Sequence, residues 1–335
     1  MQRSRGVTIV EVADAARVST ATVSRVMNGS TSVSTGTTER VLGVAARLGY
    51  RPSAMAQGLA RGRTGTVGVL VPDLANPYFH GVMTGFAGEA GAQGYRMLVA
   101  TSNEAASDEV GLAEELLGQV DGLLLCSSRM SRGDLQHVLD QGRPIVAANR
   151  QMPGLALSAV CVDSYAGTME MVSHLLGLGH RRIAYLAGPE LSWSNGERVR
   201  ALAQATTFGL EVLQVPCGAT MDDGYRVVET ALRHEPTAVL AFNDIVAFGA
   251  LARLRELGIE VPSDLSIAGF DDIAFAAYAA PALTTVRNPT QQLGRASWRA
   301  LARLLDGERG LAPETLPPTL VERQSTSAPR TGSLH

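Results

Sequence analysis

The sequence predicts a small all-α head with a helix-turn-helix motif, followed by an α/β core of two lobes with parallel sheets flanked by helices. Its 335 residues exceed one ordinary domain. The first 63 residues carry nine Arg against three acidic residues, whereas the remainder carries twenty Arg against twenty-nine acidic residues. After residue 64, short apolar runs alternate with helical stretches. A basic segment before an acidic body indicates a nucleic-acid-binding head on a core with a separate task.

The head begins with a helix signal at Thr8. Thr8 and Glu11 have the spacing of a capping box, in which the hydroxyl and the carboxylate each accept a hydrogen bond from the other residue's backbone amide. A short first helix follows. Ser19 then caps a second helix, Thr20–Met27, and the Asn-Gly dipeptide after it ends that helix.

A third helix, roughly Thr35–Leu48, follows the cap residue Ser34. Its inward-facing residues are predicted to be Val41, Leu42, Ala45 and Leu48. Two short helices joined by a tight turn and braced by a third form a helix-turn-helix, whose second helix fits the DNA major groove. A three-helix packing domain without a DNA role is the alternative. The positive charge and the polar exposed face between Thr20 and Arg25 weigh against it.

The segment after the head is a short linker. The dipeptide Arg51-Pro52 ends the head, because a residue before proline is disfavoured in the helical region. Residues 53–60 could form barely two helical turns, and so short a helix is marginal alone in water. A plain flexible linker is the alternative, and Gly58 favours it.

The core shows the alternation of strands and helices that parallel sheets require. The predicted strands are Val67–Val71, Met97–Ala100, Gly122–Cys126, Ile145–Ala148, Ile183–Ala187, Ala238–Phe242 and Leu265–Ala268. The predicted helices are Tyr78–Ala92, Asp108–Leu117, Ala166–Leu178, Asp222–Arg233 and Ile245–Leu257. The number of predicted strands is too large for one small sheet, so we expect two similar lobes.

Motifs in both parts of the chain occur together in one known order. The first part contains VTIVEVADAARVSTATVSRVMNGSTSVS and LGYRPSAMAQGLARGRTGTVGVLVPDLANPYF, and the core contains LLGLGHRRIAYLAGP, AFNDIVAFGAL, DLSIAGFDD and PALTTV. Over nearly its whole length the sequence resembles the LacI–GalR (lactose-repressor/galactose-repressor) family. The resemblance implies a dimeric, ligand-regulated transcription factor, most often a repressor, whose core is a clamshell like the periplasmic binding proteins.

The resemblance also implies which residues contact DNA. Ser19 and Thr22 match phosphate-contacting positions, while Thr20, Ala21 and Arg25 match base-reading positions. In the linker it implies a hinge helix that enters the minor groove, with Leu59 as a wedge between base pairs. The full predicted set is Thr8, Ser19, Thr20, Ala21, Thr22, Ser24, Arg25, Asn28, Ala56 and Leu59.

The chain departs from the family pattern at three positions of the head. Arg17 occupies the turn position that is usually Gly or Asn, where a positive φ costs a larger residue conformational energy. Gly36 and Thr38 replace residues that are usually charged, which predicts a weaker grip on phosphate from the third helix.

These observations divide the chain into four segments. The head is residues 1–51, the hinge helix and linker are residues 52–63, and a disordered tail is predicted for residues 324–335. The effector-binding and dimerisation core, residues 64–323, consists of lobe one (64–162 plus 289–323) and lobe two (163–288), with lobe boundaries that the resemblance implies.

Ligands of open parallel sheets bind beyond the carboxyl ends of the strands, and in a clamshell these ends face each other across a cleft. Polar and aromatic residues after the predicted strands are therefore candidates for effector binding. They are Asp73, Asn76, Tyr78, Phe79, Arg150, Asp163, Ser192, Trp193, Arg198, Asn243 and Asp271. Tyr78, Phe79, Arg198, Asn243 and Asp271 match effector-contact positions in the family. Local roles are open for some of them, since Asn243 could cap a helix, Asp271 could close a turn and Trp193 could be an exposed loop residue.

The candidate residues suit a small polyol, a sugar or a sugar acid. Aromatic faces pack on C–H surfaces, Asp and Asn bind hydroxyls, and Arg pairs with a carboxylate or hydroxyl. A carbohydrate effector is therefore predicted, although purine-responsive relatives use the same scaffold.

The sequence contains no motif of the common enzyme classes: no GxxxxGK[ST], GxSxG or HExxH is present, and GxGxxG is missing from the first strand-helix turn. The three cysteines, Cys126, Cys161 and Cys217, are widely spaced and suggest neither disulfides nor a thiolate metal site. We predict no cofactor and no metal.

We therefore expect a homodimeric repressor that binds near-palindromic operator DNA and is not an enzyme. A small-molecule binding protein without a regulatory role is the first alternative, and an α/β enzyme with an appended DNA-binding head is the second. An effector could act as inducer or as corepressor. The N-terminus has no continuous apolar segment and no run reaches membrane-helix length, so we expect no membrane partner and a place in the bacterial cytoplasm, on the nucleoid when bound to operator.

Overall fold

A computed structural model of the chain describes residues 7–27, 32–50 and 63–330. The chain divides into two compact units, Met1–Thr66 and Val67–His335. The predicted DNA contacts Asn28, Ala56 and Leu59 lie outside the described residues, as does the predicted hinge helix.

The head is a three-helix unit built from α1 (Ile9–Ala16), α2 (Thr20–Met27) and α3 (Thr35–Leu48). The bounds of α2 and α3 confirm those predicted. The capping box at the start of α1 is also confirmed, because the Thr8 amide donates to Glu11 Oε2 at 2.7 Å and the Glu11 amide donates to Thr8 Oγ1 at 3.4 Å.

The packing of α3 differs from the prediction in two places. Leu42 and Leu48 are 47% and 36% exposed, so the prediction that they face inward is wrong. Val44 is buried instead, beside Val41 and Ala45. Val41, Val44 and Ala45 form the stripe of α3 that packs with α1 and α2 in the core of the head, and Leu42 and Leu48 are not part of this cluster.

The turn after α1 contains Arg17 in the left-handed region, with φ 54°. Its backbone amide donates to the Asp14 carbonyl at 3.2 Å, which ends α1. The turn therefore keeps the usual backbone shape of this motif, at the conformational cost that a side chain pays at positive φ.

The core contains two sheets of the parallel type and one small ribbon. Its strands are β1 (Thr66–Val71), β2 (Arg96–Thr101), β3 (Gly122–Cys126), β4 (Ile145–Ala148), β5 (Ser158–Val162), β6 (Arg182–Ala187), β7 (Glu211–Pro216), β8 (Ala238–Ala241), β9 (Ser266–Ala268), β10 (Thr285–Arg287), β11 (Glu314–Leu316) and β12 (Thr319–Val321). Lobe one has the strand order β11-β5-β4-β3-β1-β2 and lobe two the order β7-β6-β8-β9. The two orders confirm an α/β architecture with two lobes.

Helices cover both sheets. They are α4 (Pro77–Ala92), α5 (Glu109–Leu117), α6 (Arg132–Leu139), α7 (Ser164–Leu178), α8 (Trp193–Ala205), α9 (Met221–Leu232), α10 (Asp244–Glu256) and α11 (Thr290–Leu305). Within each lobe one helix pair approaches through glycine. A Cβ on Gly85 of α4 would overlap the Gln291 carbonyl of α11, and a Cβ on Gly249 of α10 would overlap the Met221 carbonyl of α9. These contacts fix the helix layer of each lobe, and hence the loops that lead into the cleft between the lobes.

The chain passes between the lobes three times. It crosses after β5, then after β10, and again between β11 and β12, where β10 and β12 form an antiparallel pair. The last segment then runs along lobe two beside β9. Lobe one therefore ends near Leu316, and not at residue 323 as predicted.

Residues 324–330 pack on lobe two, so the prediction of a disordered tail from residue 324 is wrong for them. Ser325 is fully buried, accepts from the Thr284 amide at 2.8 Å and donates to the Ile267 carbonyl at 2.6 Å. Arg330 pairs with Asp264 at 2.6 Å. The polar composition of this segment suggested disorder, but its hydroxyls and amides bond with the edge of the sheet beside β9.

Candidate functional site

The exposed face of α2 is the candidate DNA-binding surface of the head. Thr20, Ala21 and Arg25 are exposed on this helix, whereas Val23 and Val26 point into the core. Arg25 can offer a guanidinium to guanine O6 and N7, and the methyl groups of Ala21 and Thr20 can meet a thymine methyl. Their roles in base recognition stay predictions.

The start of α2 is held by Ser19. Ser19 Oγ accepts from the Thr22 amide at 3.2 Å, and the two hydroxyls lie 3.0 Å apart. Amides and hydroxyls at a helix N-terminus are suited to a phosphate oxygen. Ser24 is half-buried and Thr8 is bonded to Glu11, so both stay predicted contacts of the same surface.

The cleft between the lobes is the candidate effector site of the core. It is lined by Asn76, Tyr78, Phe79, Glu104, Ser127, Arg129, Asn149, Val162, Ser164, Ser192, Ser194, Arg198, Ala219, Phe242, Asn243, Asp271 and Asn288. Seven of the eleven predicted effector residues are among them: Asn76, Tyr78, Phe79, Ser192, Arg198, Asn243 and Asp271. Their convergence follows from the parallel strands, whose carboxyl ends in both lobes open onto this cleft.

Four predicted effector residues are not among these lining residues. Asp73 accepts from the Ala75 amide in a turn, at 2.8 Å. Asp163 caps α7 through the Ala166 amide, also at 2.8 Å. Trp193 is half-exposed as the first residue of α8.

Arg150 is the fourth. Its Nη2 donates to the Met130 carbonyl at 2.7 Å and its Nη1 to the Leu191 carbonyl at 2.8 Å. The side chain is thus committed to backbone carbonyls at the edge of the cleft. Position after a strand placed Arg150 near the site, but the direction of a long side chain depends on the tertiary structure.

Several lining residues were not predicted, and most of them also follow strands. Glu104 comes after β2, Ser127 and Arg129 come after β3, and Ser164 comes after β5. Asn149 directly follows β4, at a position whose strand-end signal is visible in the sequence. Asn149 stands out in the sequence for this reason, and the same strand-end signal marks Glu104, Ser127, Arg129 and Ser164.

The loops that border the cleft contain strained backbone. The non-glycine residues at positive φ in these loops are Asn103, Glu104, Ser127, Asn149, Asp271 and Asp272. Each follows a strand of one of the two sheets. Such conformations persist only where surrounding contacts hold them, and they cluster at functional sites.

The lobe-one wall of the cleft is a hydrogen-bonded pair of Tyr78 and Asn149. Asn149 Nδ2 donates to the Tyr78 hydroxyl, and Asn149 Oδ1 accepts from the Val162 amide at 2.9 Å. Burial raises the pKa of Tyr78, and the nearby carboxyl group of Asp271 raises it further. The phenol therefore stays protonated and can donate to a ligand hydroxyl or carbonyl.

Arg198 dominates the lobe-two wall. Its guanidinium stacks 3.6 Å from the centre of the Phe270 ring and 4.8 Å from that of Phe242, and donates to the Phe242 carbonyl. Its Nε is buried without a hydrogen-bond partner among the described residues. Stacking holds the guanidinium plane in place, while a buried N–H without an acceptor favours a ligand that supplies one.

Asp271 and Asn288 form the acceptor side of this wall. Asn288 Nδ2 donates to Asp271 Oδ1 at 2.8 Å, and Asn288 Oδ1 is buried with no partner in the described part of the chain. Burial raises the pKa of Asp271 to about 7, although Arg198 and Asn288 lower it. The wall therefore offers an unsatisfied acceptor, Asn288 Oδ1, and an unsatisfied donor, Arg198 Nε, which suit the hydroxyl groups of a polyhydroxylated ligand.

Two of the converging residues also have local structural roles. Asn243 Oδ1 accepts from the Val246 amide at 2.8 Å and its Nδ2 donates to the Ala219 carbonyl at 3.0 Å. Ser192 caps α8 by accepting from the Asn195 amide at 3.2 Å. Asn243 therefore caps α10 and also lines the cleft, which are the two roles that the sequence left open for it.

Charges in the cleft balance one another. Arg129 pairs with Glu104 at 3.2 Å, and Arg198 acts electrostatically on Asp271. The space left between the side chains is about 40 Å³, room for a few water molecules. Ligand pockets usually measure about 300–1,000 Å³, so a ligand requires the lobes or the side chains of the cleft to move apart.

Residues 7–27, 32–50 and 63–330 contain neither a metal-binding cluster nor a helix of membrane-spanning character. In these ranges no group of three His, Cys, Asp or Glu side chains is arranged to hold a metal ion. Within the same ranges no helix combines the length and the apolar character needed to span a bilayer.

Comparison with known proteins places both units. A family profile described as bacterial regulatory proteins, lacI family, matches residues 8–53, and one described as a periplasmic binding protein-like domain matches residues 172–326. The HTH-type transcriptional regulator DegA of Bacillus subtilis (strain 168) is 33% identical over 340 residues, covering 96% of this chain and 98% of DegA.

Two solved structures are similar over nearly the whole chain. The lac repressor dimer bound to operator and the anti-inducer ONPF has a TM-score of 0.85 at 29% identity, covering 97% of this chain and 100% of the repressor chain. The complex of the transcriptional regulator CelR with cellobiose has a TM-score of 0.71 at 32% identity, covering 95% of this chain and 99% of that chain.

Proposed function

Because the chain belongs to the LacI family of bacterial regulatory proteins, we propose that it is a homodimeric transcriptional repressor whose operator affinity is set by a sugar in the interlobe cleft. It binds near-palindromic operator DNA, one half-site for each head. It acts in the bacterial cytoplasm, on the nucleoid when bound to operator, and as a DNA-binding regulator it is not an enzyme.

The head supports the DNA-binding part of this proposal. Its helix-turn-helix presents Thr20, Ala21 and Arg25 on the exposed face of α2, where a recognition helix reads base edges. The similar lac repressor structure contains a dimer on its operator. A two-fold dimer requires a two-fold operator, so the target site is near-palindromic.

The polar wall of the cleft is the observation that carries the effector part. Arg198 Nε and Asn288 Oδ1 are buried without partners among the described residues, beside the carboxyl group of Asp271. Hydroxyl groups can donate to an acceptor and accept from a donor, so a sugar can satisfy all three groups at once. Because Arg129 is paired with Glu104 and Asp271 lies near Arg198, the proposal favours an uncharged sugar over a sugar acid.

Selection of binding sequences from a randomised duplex pool tests the DNA-binding part. Purified full-length protein at two salt concentrations should recover a palindrome with a flexible central step. The salt dependence separates phosphate contacts from base recognition. Recovery of no specific sequence, with or without the sugars named below, would favour a binding protein without a regulatory role.

Fluorescence anisotropy on the selected duplex then tests the effector part. D-ribose, D-glucose, D-galactose and cellobiose are titrated, with D-gluconate as the anionic comparison and adenosine as the purine comparison. We expect an uncharged sugar to change operator affinity, a decrease identifying an inducer and an increase a corepressor. Asp271→Ala should keep operator affinity and lose the response, and a retained response in that variant would contradict the site.

A further inference from the structure

Arg150 connects the two lips of the cleft. On the lobe-one lip, Met130 precedes the start of α6, and on the lobe-two lip, Leu191 precedes the start of α8. Arg150 follows β4 and donates to the carbonyls of both residues, at 2.7 Å to Met130 and 2.8 Å to Leu191. Its side chain is therefore a direct polar bridge between the lobes.

Arg150 can make both hydrogen bonds at once only when the two lips are close together. The guanidinium is a rigid planar fork that directs its N–H groups to fixed positions, so it can reach both carbonyls only when they lie close together. Arg150 is only 7% exposed, and its Nε is buried without a partner in the described residues. Two bonds to carbonyls on opposite lips compensate for the removal of this charge from water.

We propose that Arg150 is an interlobe latch that holds the cleft closed and competes with effector binding. The closed cleft holds about 40 Å³, too little for a sugar, and separation of the lips would make room for one. Separation breaks the Arg150 bond to Leu191. The strength of this bond therefore sets the fraction of molecules that can accept an effector, a consequence that rests on the proposed function.

A second contact between the lobes limits what the latch does. Ile273, Ile245 and Phe248 of lobe two pack against the apolar cluster of lobe one that contains Tyr78 and Phe79. This contact has no polar group of Arg150 in it, so it persists when the latch is removed. Loss of the latch therefore shifts the balance between closed and open forms without separating the lobes entirely.

The distance between the lips tests the latch without any effector. Spin labels are attached to the full-length protein at His137→Cys on α6 and Ala203→Cys on α8, both exposed positions, in a Cys217→Ser background. Cys126 and Cys161 are buried and stay unlabelled. Labelled protomers are diluted with unlabelled ones, and double electron–electron resonance gives the distribution of distances within one protomer.

Arg150→Met keeps the length and buried shape of the side chain but removes its donors. Arg150→Lys keeps the charge and lacks the fork, so it also cannot hold both carbonyls. Arg132→Met is the matched control, because Arg132 donates to two carbonyls of its own lobe, those of Pro153 and Gly154.

A narrow, short distance is expected in the parent protein and in Arg132→Met. Both Arg150 variants should add a longer-distance population, with the closed-to-open ratio reduced about tenfold to a hundredfold, the effect of losing one hydrogen bond from a charged group. An unchanged distribution in both Arg150 variants would overturn the latch, as would equal opening in Arg132→Met. Since no sugar is present, this result stands even if the proposed effector is wrong.

Discussion

Replacement of the buried carboxyl group of Asp271 by an amide should stabilise the core, and the gain should depend on pH. Burial raises the pKa of Asp271 from 3.8 to about 7. Between these two pH values the folded protein holds a proton that the unfolded chain has released, so raising the pH favours unfolding. The loss of folding stability caused by ionised Asp271 is complete above pH 7 and disappears below about pH 4.

The size of the effect follows from the pKa difference. At 1.36 kcal/mol for each tenfold change in proton affinity, the ionised carboxylate costs about 4 kcal/mol of unfolding free energy at pH 8. Asp271→Asn keeps the shape and the acceptor for Asn288 but cannot ionise. The free energy of unfolding of the variant should therefore exceed that of the parent by about 1 kcal/mol at pH 4.5 and by about 4 kcal/mol at pH 8. At pH 8 the Tm of the variant should be roughly 10 °C higher.

Thermal and urea unfolding of the full-length protein, followed by circular dichroism at steps from pH 4.5 to pH 8, measures this difference. Asp73→Asn is the matched control, because Asp73 is half-exposed and an amide can keep its turn bond to Ala75. The free energy of unfolding of that variant should stay within about 0.5 kcal/mol of the parent value, as it does for most surface substitutions. A gain for Asp271→Asn that is constant across pH, or a loss at pH 8, would refute the reasoning.

Three further outcomes are expected. Gly85→Ala should destabilise lobe one by more than about 2 kcal/mol in urea unfolding, because the new methyl group meets a backbone carbonyl of α11, whereas Gly88→Ala on the same helix meets open space and should be neutral or stabilising. Arg25→Ala should weaken operator binding by about 1–3 kcal/mol and relax preference at one base pair in a competition assay with substituted duplexes. Arg47→Ala, at the far end of α3, should leave that preference unchanged, and an equal loss of preference in both variants would contradict a base contact. Ser325→Ala should cost about 1–3 kcal/mol of unfolding free energy through an unsatisfied buried amide and carbonyl, and an unchanged value would show that the last segment adds nothing to lobe two.

Local sequence signals predicted the head well. Thr8 and Glu11 mark the start of α1, and the predicted bounds of α2 and α3 are those of the structure. Caps and breakers act within one helical turn, so they can be recognised without knowledge of the rest of the chain. The inward face of α3 was predicted less well, because the exposure of Leu42 and Leu48 depends on how α3 packs against α1 and α2.

In the core, most of the buried strands were predicted, but β5 was not, although it is buried along its whole length. Strand β3, with the sequence GLLLC, is a continuous apolar run, whereas β7 is a half-exposed edge strand with the sequence EVLQVP. The helices α6, α8 and α11 and the ribbon of β10 and β12 also escaped prediction. The ribbon depends on the pairing of two segments that lie far apart in the chain, which periodicity does not report.

The sequence by itself determined the helix-turn-helix, the alternation of strands and helices in the core and the strand ends from which most cleft residues come. These properties rest on local backbone preferences and on the alternation of apolar and polar residues. The tertiary structure alone decided which of those residues meet. It directed Arg150 to the lips of the cleft, left Arg198 and Asn288 with unsatisfied polar atoms, and bound residues 324–330 to lobe two. Side-chain direction, burial and the approach of distant segments are set by the packing of the two lobes, because each depends on atoms that the local sequence does not contain.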